Sequence, residues 1–329
     1  MAEFDQGSVS QWLTELRGTE TKIPAGELRE EMQNFAQMFT DVPPIYASIY
    51  EKDPATELSA IRQVRDAIST YIAERKPASI IRISDGEGRV LGSSDDKYEH
   101  LSRAIVTYAM AEQFGLHSTG MGEIRVALED AVRNCEVLGL PVPGSIDWHF
   151  LRFAETKALG GVERLPQISG VVSAVRHCHR LFAGVRPPLI ADSIFSQHLL
   201  PYYPPMLHGL PFVGIITCRQ GLDSALRERF TIREAKAYLI PGEAFTATVP
   251  SAERHYPNRY HQLLQSISVP FPGAVFLVAA GIPGASYCNR IKQLGGIAIN
   301  IGSVADVWAG VVTRPYHTER YLDRWRLVP

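Results

Sequence analysis

Two carboxylates separated by a single glycine, Asp85 and Glu87, are the first residues whose types and spacing suggest chemistry. They follow residues 79–83, an isoleucine-rich run that is typical of a buried strand. Gly86 permits a tight turn, so both carboxylates could converge on one point beyond the strand. Carboxylate oxygens suit Mg²⁺ or Mn²⁺, whose coordination is commonly completed by substrate phosphates. The spacing therefore predicts a divalent-metal site. The alternative is a turn in which Asp85 caps a helix that begins at Glu87.

A glycine-bearing turn near the end of the chain suggests a second binding feature. Gly281-Ile282-Pro283-Gly284 follows the apolar run 274–279 and precedes a predicted helix. Such a turn presents backbone N–H groups and the positive end of a helix dipole to a phosphate. Gly281 and Gly284 are therefore predicted to contact a diphosphate, although close helix packing also explains small residues here. The turn lacks the full Gly-x-Gly-x-x-Gly pattern, which disfavours a nicotinamide cofactor.

Polar residues follow two further predicted strands. Ser303 and Asp306 come after the strand 297–301, and Glu243 comes after a strand ending at Ile240. Ligands of open α/β sheets bind at the carboxyl ends of the strands. Ser303 is therefore a candidate ligand contact, and Glu243 and Asp306 are candidate general bases. Capping of the following helix is the alternative for Ser303.

The loop at residues 251–257 carries cationic and aromatic side chains. Arg254 could grip a phosphate, and Tyr256 could stack on a base. A solvated loop surface is the alternative interpretation of these residues.

The second half of the chain alternates between apolar strands and helices. Continuous apolar runs separated by short helices predict a parallel sheet with right-handed crossovers, which is a Rossmann-like α/β fold. The predicted strands are 212–217, 237–240, 274–279 and 297–301, and the predicted helices are 221–230, 260–267 and 285–294.

The first half is more helical in pattern. Residues 123–138 are predicted as a helix that Gly139 ends, with Met121 and Gly122 in the preceding loop. The segment 141–211 gives no clear order of elements. The resulting division is a helical N-terminal segment at 1–76, an α/β domain at 77–315 and a C-terminal tail at 316–329.

Composition limits the classes of function. The chain has 329 residues, of which 45 % are hydrophobic and 21 % charged, as in a soluble globular protein. A net charge of -2 gives no general attraction for nucleic acid. The four cysteines form no Cys-x-x-Cys pair, which favours a reduced, cytoplasmic protein. We expect neither a signal peptide nor a transmembrane helix.

Taken together, Arg82-Ile83-Ser84-Asp85-Gly86-Glu87, Gly281–Gly284 and Asn300–Asp306 resemble the GT-D type glycosyltransferases of bacterial cell-surface polysaccharide assembly. The resemblance implies that Asp85 and Glu87 bind a divalent metal and the diphosphate of a nucleotide sugar, with Arg82 as a supporting cation. Many relatives read Asp-x-Gly-His where this chain has Asn300-Ile301-Gly302-Ser303.

The resulting hypothesis is a metal-dependent glycosyltransferase that uses a nucleotide diphosphate sugar, with a UDP-sugar favoured, and a glycan or other cell-surface acceptor. Mn²⁺ or Mg²⁺ would neutralise the leaving diphosphate. The alternatives are a non-catalytic nucleotide-binding or scaffold protein of the same fold and a metal-dependent phosphohydrolase. The predicted donor-binding residues are Arg82, Gly86, Gly281, Gly284, Ser303, Arg254 and Tyr256.

Overall fold

A computed structural model describes six segments of the chain. They are residues 57–93, 118–142, 165–185, 187–242, 254–314 and 317–328. Glu243 and residues 1–56 of the predicted N-terminal segment lie outside the described residues. Within the six segments, no helix combines the length and the apolar character needed to cross a bilayer.

Seven strands form one sheet. They are β1 (Ala78–Arg82), β2 (Val137–Leu140), β3 (Leu189–Asp192), β4 (Phe212–Thr217), β5 (Glu234–Leu239), β6 (Val275–Val278) and β7 (Ile297–Asn300). Their order is β3-β2-β1-β7-β6-β4-β5, and each pair with a defined register is parallel. The predicted α/β class with a Rossmann-like parallel sheet is confirmed.

Helices connect the strands. They are α1 (Glu57–Glu74), α2 (Asp85–Gly92), α3 (Ser118–Asn134), α4 (Leu165–Leu181), α5 (Phe195–His198), α6 (Tyr203–Leu207), α7 (Leu222–Arg229), α8 (Tyr260–Ser266), α9 (Gly284–Gln293), α10 (Val304–Trp308) and α11 (Glu319–Trp325). A 3₁₀ turn spans Leu200–Tyr202, and a kinked turn with extended backbone at Tyr256 spans His255–Arg259.

The chain divides into two compact units. The first contains residues 83–129 and 140–187, and therefore α2, most of α3, and α4. The second contains residues 54–82, 130–139 and 188–329, and therefore the sheet and the remaining helices. The domain boundaries predicted at residues 76 and 315 stay predictions.

The core of the second unit lies on the sheet. Ile80, Leu277 and Ile299 are completely buried in adjacent strands, and burying one such side chain contributes roughly 1.5–3 kcal/mol. Helix α1 packs on this core through an apolar stripe that includes Ile61 and Ile68. That stripe follows the helical spacing of the sequence.

Two local predictions were wrong. Helix α3 ends at Asn134, and the last two residues of the helix predicted at 123–138 belong to β2. Gly139 lies inside this strand, where a Cβ atom would be 2.8 Å from the ring of Phe195. The glycine therefore permits close packing rather than ending a helix. Met121 and Gly122, predicted in a loop, lie in the first turns of α3.

Candidate functional site

In the first unit, the two predicted metal ligands lie on the first turn of α2. The helix begins at Asp85 with Ser84 as its N-cap, so the alternative in which Asp85 caps a helix starting at Glu87 was wrong. Glu87 is 4 % exposed, and its Oε2 accepts the backbone N–H of Ser84 at 3.0 Å. This contact satisfies a donor that the helix leaves unpaired. Gly86 lies between them in helical conformation.

Asp85 pairs with a cation on its own helix. Its Oδ2 is 2.5 Å from Nη2 of Arg89, whose Nε also donates to the Asp85 carbonyl at 3.2 Å. The Asp85 side chain is 33 % exposed, whereas that of Arg89 is 10 % exposed. A cation reaching Asp85 would therefore compete with Arg89 for the carboxylate.

The chemistry of these two side chains fits Mg²⁺ or Mn²⁺, because both supply hard oxygen atoms. Across the six described segments, no cluster of three or more His, Cys, Asp or Glu residues could enclose an ion. A metal held by Asp85 and Glu87 would complete its shell with water or substrate oxygens.

Glycine contacts fix the first turn of α2. A Cβ atom on Gly170 of α4 would lie 2.0 Å from the Asp85 carbonyl oxygen, and one on Gly88 would lie 1.9 Å from the Gly170 carbonyl oxygen. Neither distance is possible for a real side chain. The two helices therefore touch through backbone, and any side chain at Gly88 or Gly170 must displace the turn that carries Asp85.

In the second unit, Arg82 ends β1 and makes one weak hydrogen bond within the described segments. Its Nη1 donates to the Ser193 carbonyl at a long 3.5 Å, and no carboxylate of the described residues pairs with it. A Cβ on Gly302, whose φ is +50°, would lie 3.0 Å from Cζ of Arg82. Arg82 is half-buried, so its guanidinium is a positioned cation that no carboxylate of the six described segments neutralises.

Burial raises the pKa of Tyr203, and the positive charge of Arg82 partly offsets that rise. The Tyr203 hydroxyl is buried, and within the described part of the chain it has no hydrogen-bond partner. The strand end at Arg82 therefore has a cation and an unsatisfied hydroxyl in one neighbourhood.

The Gly281–Gly284 turn leads from β6 into α9, as predicted. Gly281 has φ +58°, and its carbonyl accepts the Gly284 N–H at 2.9 Å. A Cβ on Gly284 would lie 3.1 Å from Nδ2 of Asn300, at the end of the neighbouring β7. Asn300 is 2 % exposed, and its Nδ2 has no partner among the described residues.

Ser303 belongs to a polar chain that links three elements. Its Oγ accepts from Nε2 of Gln197 at 2.9 Å, and Oε1 of Gln197 accepts from the Tyr321 hydroxyl at 2.9 Å. Ser303 is the N-cap residue of α10 by position but makes no side-chain cap bond. Its observed contacts hold α5 and α11 against α10.

Both oxygens of Asp306 are engaged. Oδ1 accepts from Nε of Arg219 at 2.8 Å, and Oδ2 accepts from Oγ1 of Thr313 at 2.7 Å. Proton abstraction by Asp306 would require at least one of these bonds to open. Sequence reasoning did not select Arg219, although it follows β4 by two residues and so shares the strand-end position of the other candidates.

The segment around Arg254 and Tyr256 is anchored by a residue that sequence reasoning missed. His255 is buried, and its Nε2 lies 2.7 Å from the Tyr287 hydroxyl on α9. Burial, together with the Arg259 charge, lowers the pKa of His255 to about 4. Arg254 is exposed, and the Tyr256 ring lies 5.8 Å from the rings of its neighbours Tyr260 and His261. This aromatic surface is attached to the helix that follows the Gly281–Gly284 turn.

No protein-family model and no curated protein matches the chain. Similar solved structures include a selenomethionine form of domain of unknown function 1792, with 13 % identity and TM-score 0.43 over 83 % of this chain and 95 % of that chain. Another, described as the same domain with a distinct glycosyltransferase fold, has 12 % identity and TM-score 0.44 over 83 % and 95 %. A third, described as a new glycosyltransferase from Streptococcus sanguinis, has 13 % identity and TM-score 0.43 over 80 % and 92 %. At this identity, the activity of the chain has to be argued from its own residues.

Proposed function

We propose that this chain is a glycosyltransferase that moves a sugar from a nucleotide diphosphate sugar, with a UDP-sugar favoured, to a glycan or other cell-surface acceptor. The sequence resemblance supplies the reaction class. The observation that carries the proposal is the guanidinium of Arg82, because a half-buried cation without a described carboxylate partner suits an anionic ligand.

Within this proposal, different residues bind different parts of the sugar donor. Arg82 and the turn at Gly281–Gly284 hold the diphosphate, while Arg254 and Tyr256 contact a phosphate and the base. Asp85 and Glu87 hold Mg²⁺ or Mn²⁺, which supplies Lewis-acid stabilisation of the leaving diphosphate. Occupying Asp85 requires the Arg89 side chain to share or release that carboxylate.

Transfer also needs a group that takes the proton of the acceptor hydroxyl. Glu243 and Asp306 are the proposed candidates for this base. Asp306 would have to release its contact with Arg219 or Thr313 before it could take a proton, so Glu243 is the first of the two to test.

A donor screen tests the proposal. The full chain is incubated with several nucleotide sugars, a mixture of glycan acceptors, and Mn²⁺, Mg²⁺ or chelator, and both nucleotide release and sugar transfer are measured. We expect transfer that chelator abolishes. Phosphate release without transfer would indicate a phosphohydrolase, and nucleotide binding without turnover would indicate a non-catalytic protein.

Arg82→Gln tests the observation that carries the proposal. Losing a hydrogen bond between charged groups costs about 1.5–3 kcal/mol, so donor affinity should fall about tenfold to a hundredfold. Arg62→Gln, on the exposed face of α1, is the matched control and should bind the donor like the parent. Equal donor affinity in both variants would contradict the role given to Arg82.

A further inference from the structure

The first turn of α9 contains backbone donors that nothing in the described segments satisfies. Gly284 donates to Gly281, and Tyr287 donates to Pro283, but no described backbone carbonyl accepts from Ala285 or Ser286. Both residues are buried, at 0 % and 5 % exposure. The start of every helix leaves its first N–H groups without an intrahelical partner, so these two donors form an anion site only where a second feature points to the same place. Helix α9, with ten residues, is long enough to add a helix dipole.

Asn300 gives independent support for a ligand at this place. Its side chain is almost completely buried, its Nδ2 has no partner in the described part of the chain, and it lies beside Gly284, the first residue of α9. A side chain on residue 284 would crowd that amide, so the glycine keeps the space open. An amide nitrogen only donates hydrogen bonds, as do the backbone N–H groups next to it.

We infer that Asn300 and the first turn of α9 form a subsite that binds a phosphate group directly, through neutral donors and without a bridging metal. This inference rests on the proposed function for the identity of the ligand, the diphosphate of the sugar donor. A carboxylate at position 300 would repel a phosphate unless a cation lay between them. The asparagine instead donates to the phosphate, so this subsite does not need the metal assigned to Asp85 and Glu87.

The test uses inorganic pyrophosphate as the probe, titrated calorimetrically into the full chain in excess EDTA. The parent should bind. Asn300→Ala, which removes the donor without burying a charge, should weaken binding at least tenfold. Asn300→Asp should abolish binding in EDTA and recover part of it when Mn²⁺ replaces the chelator, because a cation then bridges the two anions.

Asn289→Asp is the matched control for Asn300→Asp, because it also introduces a buried carboxylate, but on α9. Asn289 is 7 % exposed, and its backbone position lies five residues beyond Gly284, or about 7.5 Å along the helix. This variant should keep more pyrophosphate affinity than Asn300→Asp. Thermal melting of each variant identifies those that are folded.

The outcomes separate this inference from the proposed function. Absence of pyrophosphate binding by the parent in EDTA, or equal binding by Asn300→Ala, would overturn the subsite even if sugar transfer is observed. Asn300-dependent pyrophosphate binding without transfer from any nucleotide sugar would support the subsite and contradict the transferase.

Discussion

Replacing Asp306 distinguishes a structural carboxylate from a catalytic base. The side chains of Asp306 and Arg219 are only 15 % and 11 % exposed, with Oδ1 and Nε 2.8 Å apart. Asp306→Ala removes this ion pair and the bond from Thr313, and leaves the Arg219 cation buried. Breaking one side of a buried pair costs about 3–5 kcal/mol. Asp306→Asn keeps the shape but removes the charge, so we expect a smaller loss of about 1.5–3 kcal/mol.

The assay is urea unfolding followed by circular dichroism, which gives the free energy of unfolding for each variant. Asp130→Asn is the control, because Asp130 pairs with Arg133 at 3.6 Å with both side chains about half exposed, at 57 % and 48 %. Such a surface pair contributes at most about 1 kcal/mol.

The structural reasoning would be refuted if Asp306→Asn lowered the free energy of unfolding no more than Asp130→Asn. A catalytic role predicts the opposite result: Asp306→Asn loses sugar transfer while its free energy of unfolding stays near that of the parent. Measuring stability and transfer on the same protein therefore separates the two roles of this carboxylate.

Three further predictions test other parts of the structure. Asp85→Asn and Glu87→Gln should each weaken metal-dependent nucleotide binding at least tenfold, or about 1.4 kcal/mol, as measured by calorimetry. Unchanged nucleotide affinity with and without metal would mean that the two carboxylates only stabilise the helix. Gly170→Ala should destabilise the protein by about 1–3 kcal/mol because its Cβ meets the Asp85 carbonyl, whereas Gly122→Ala, which meets nothing within 4 Å on α3, should stabilise it by roughly 0.5–1 kcal/mol. Folding lowers the pKa of His255 from 6.5 to about 4, so the neutral side chain contributes on the order of 3 kcal/mol to the free energy of unfolding. This contribution is complete above pH 6.5 and is lost as the pH falls toward 4. Urea unfolding at pH 7.5 and 4.5 should show a smaller pH difference in His255→Gln, and an identical difference would be the contrary result.

The strands that the sequence predicted best are those with a local signal. Val275–Val278 is apolar throughout and Ile297–Asn300 is apolar up to its last residue, with glycines near both ends of each strand, and both are completely or almost completely buried in the sheet. By contrast, β2 directly follows a helix and has only four residues. A short apolar run at a helix end cannot be told from another helical turn by periodicity. What decides β2 is its register with β1 and the Phe195 ring at Gly139, both of which are tertiary contacts.

The partners of the candidate site residues were not predictable for a related reason. Asp306 and Arg219 are 87 residues apart, and Ser303 and Gln197 are 106 apart. Their chemical types and strand-end positions are visible in the sequence, but which donor meets which acceptor depends on the folded arrangement. The sequence therefore places Asp306 and Ser303 as polar residues after a strand but does not reveal that each is held by a distant side chain.

Position at a strand end thus defines a set of candidate ligand-binding residues. The hydrogen bonds within the fold divide these residues into those with good protein partners and those without. Ser303 and Asp306 have good partners at 2.7–2.9 Å, so their bonds stabilise the packing of α10 without any ligand. Arg82 has one long bond, and the Asn300 amide has no partner among the described residues. Folding leaves the buried Asn300 amide uncompensated and gives the half-buried Arg82 only a weak bond, and a ligand rich in acceptor oxygens would supply the missing partners. In the second unit, ligand binding is therefore expected at Arg82 and Asn300, whose donors lack good protein partners, rather than at the acidic Asp306.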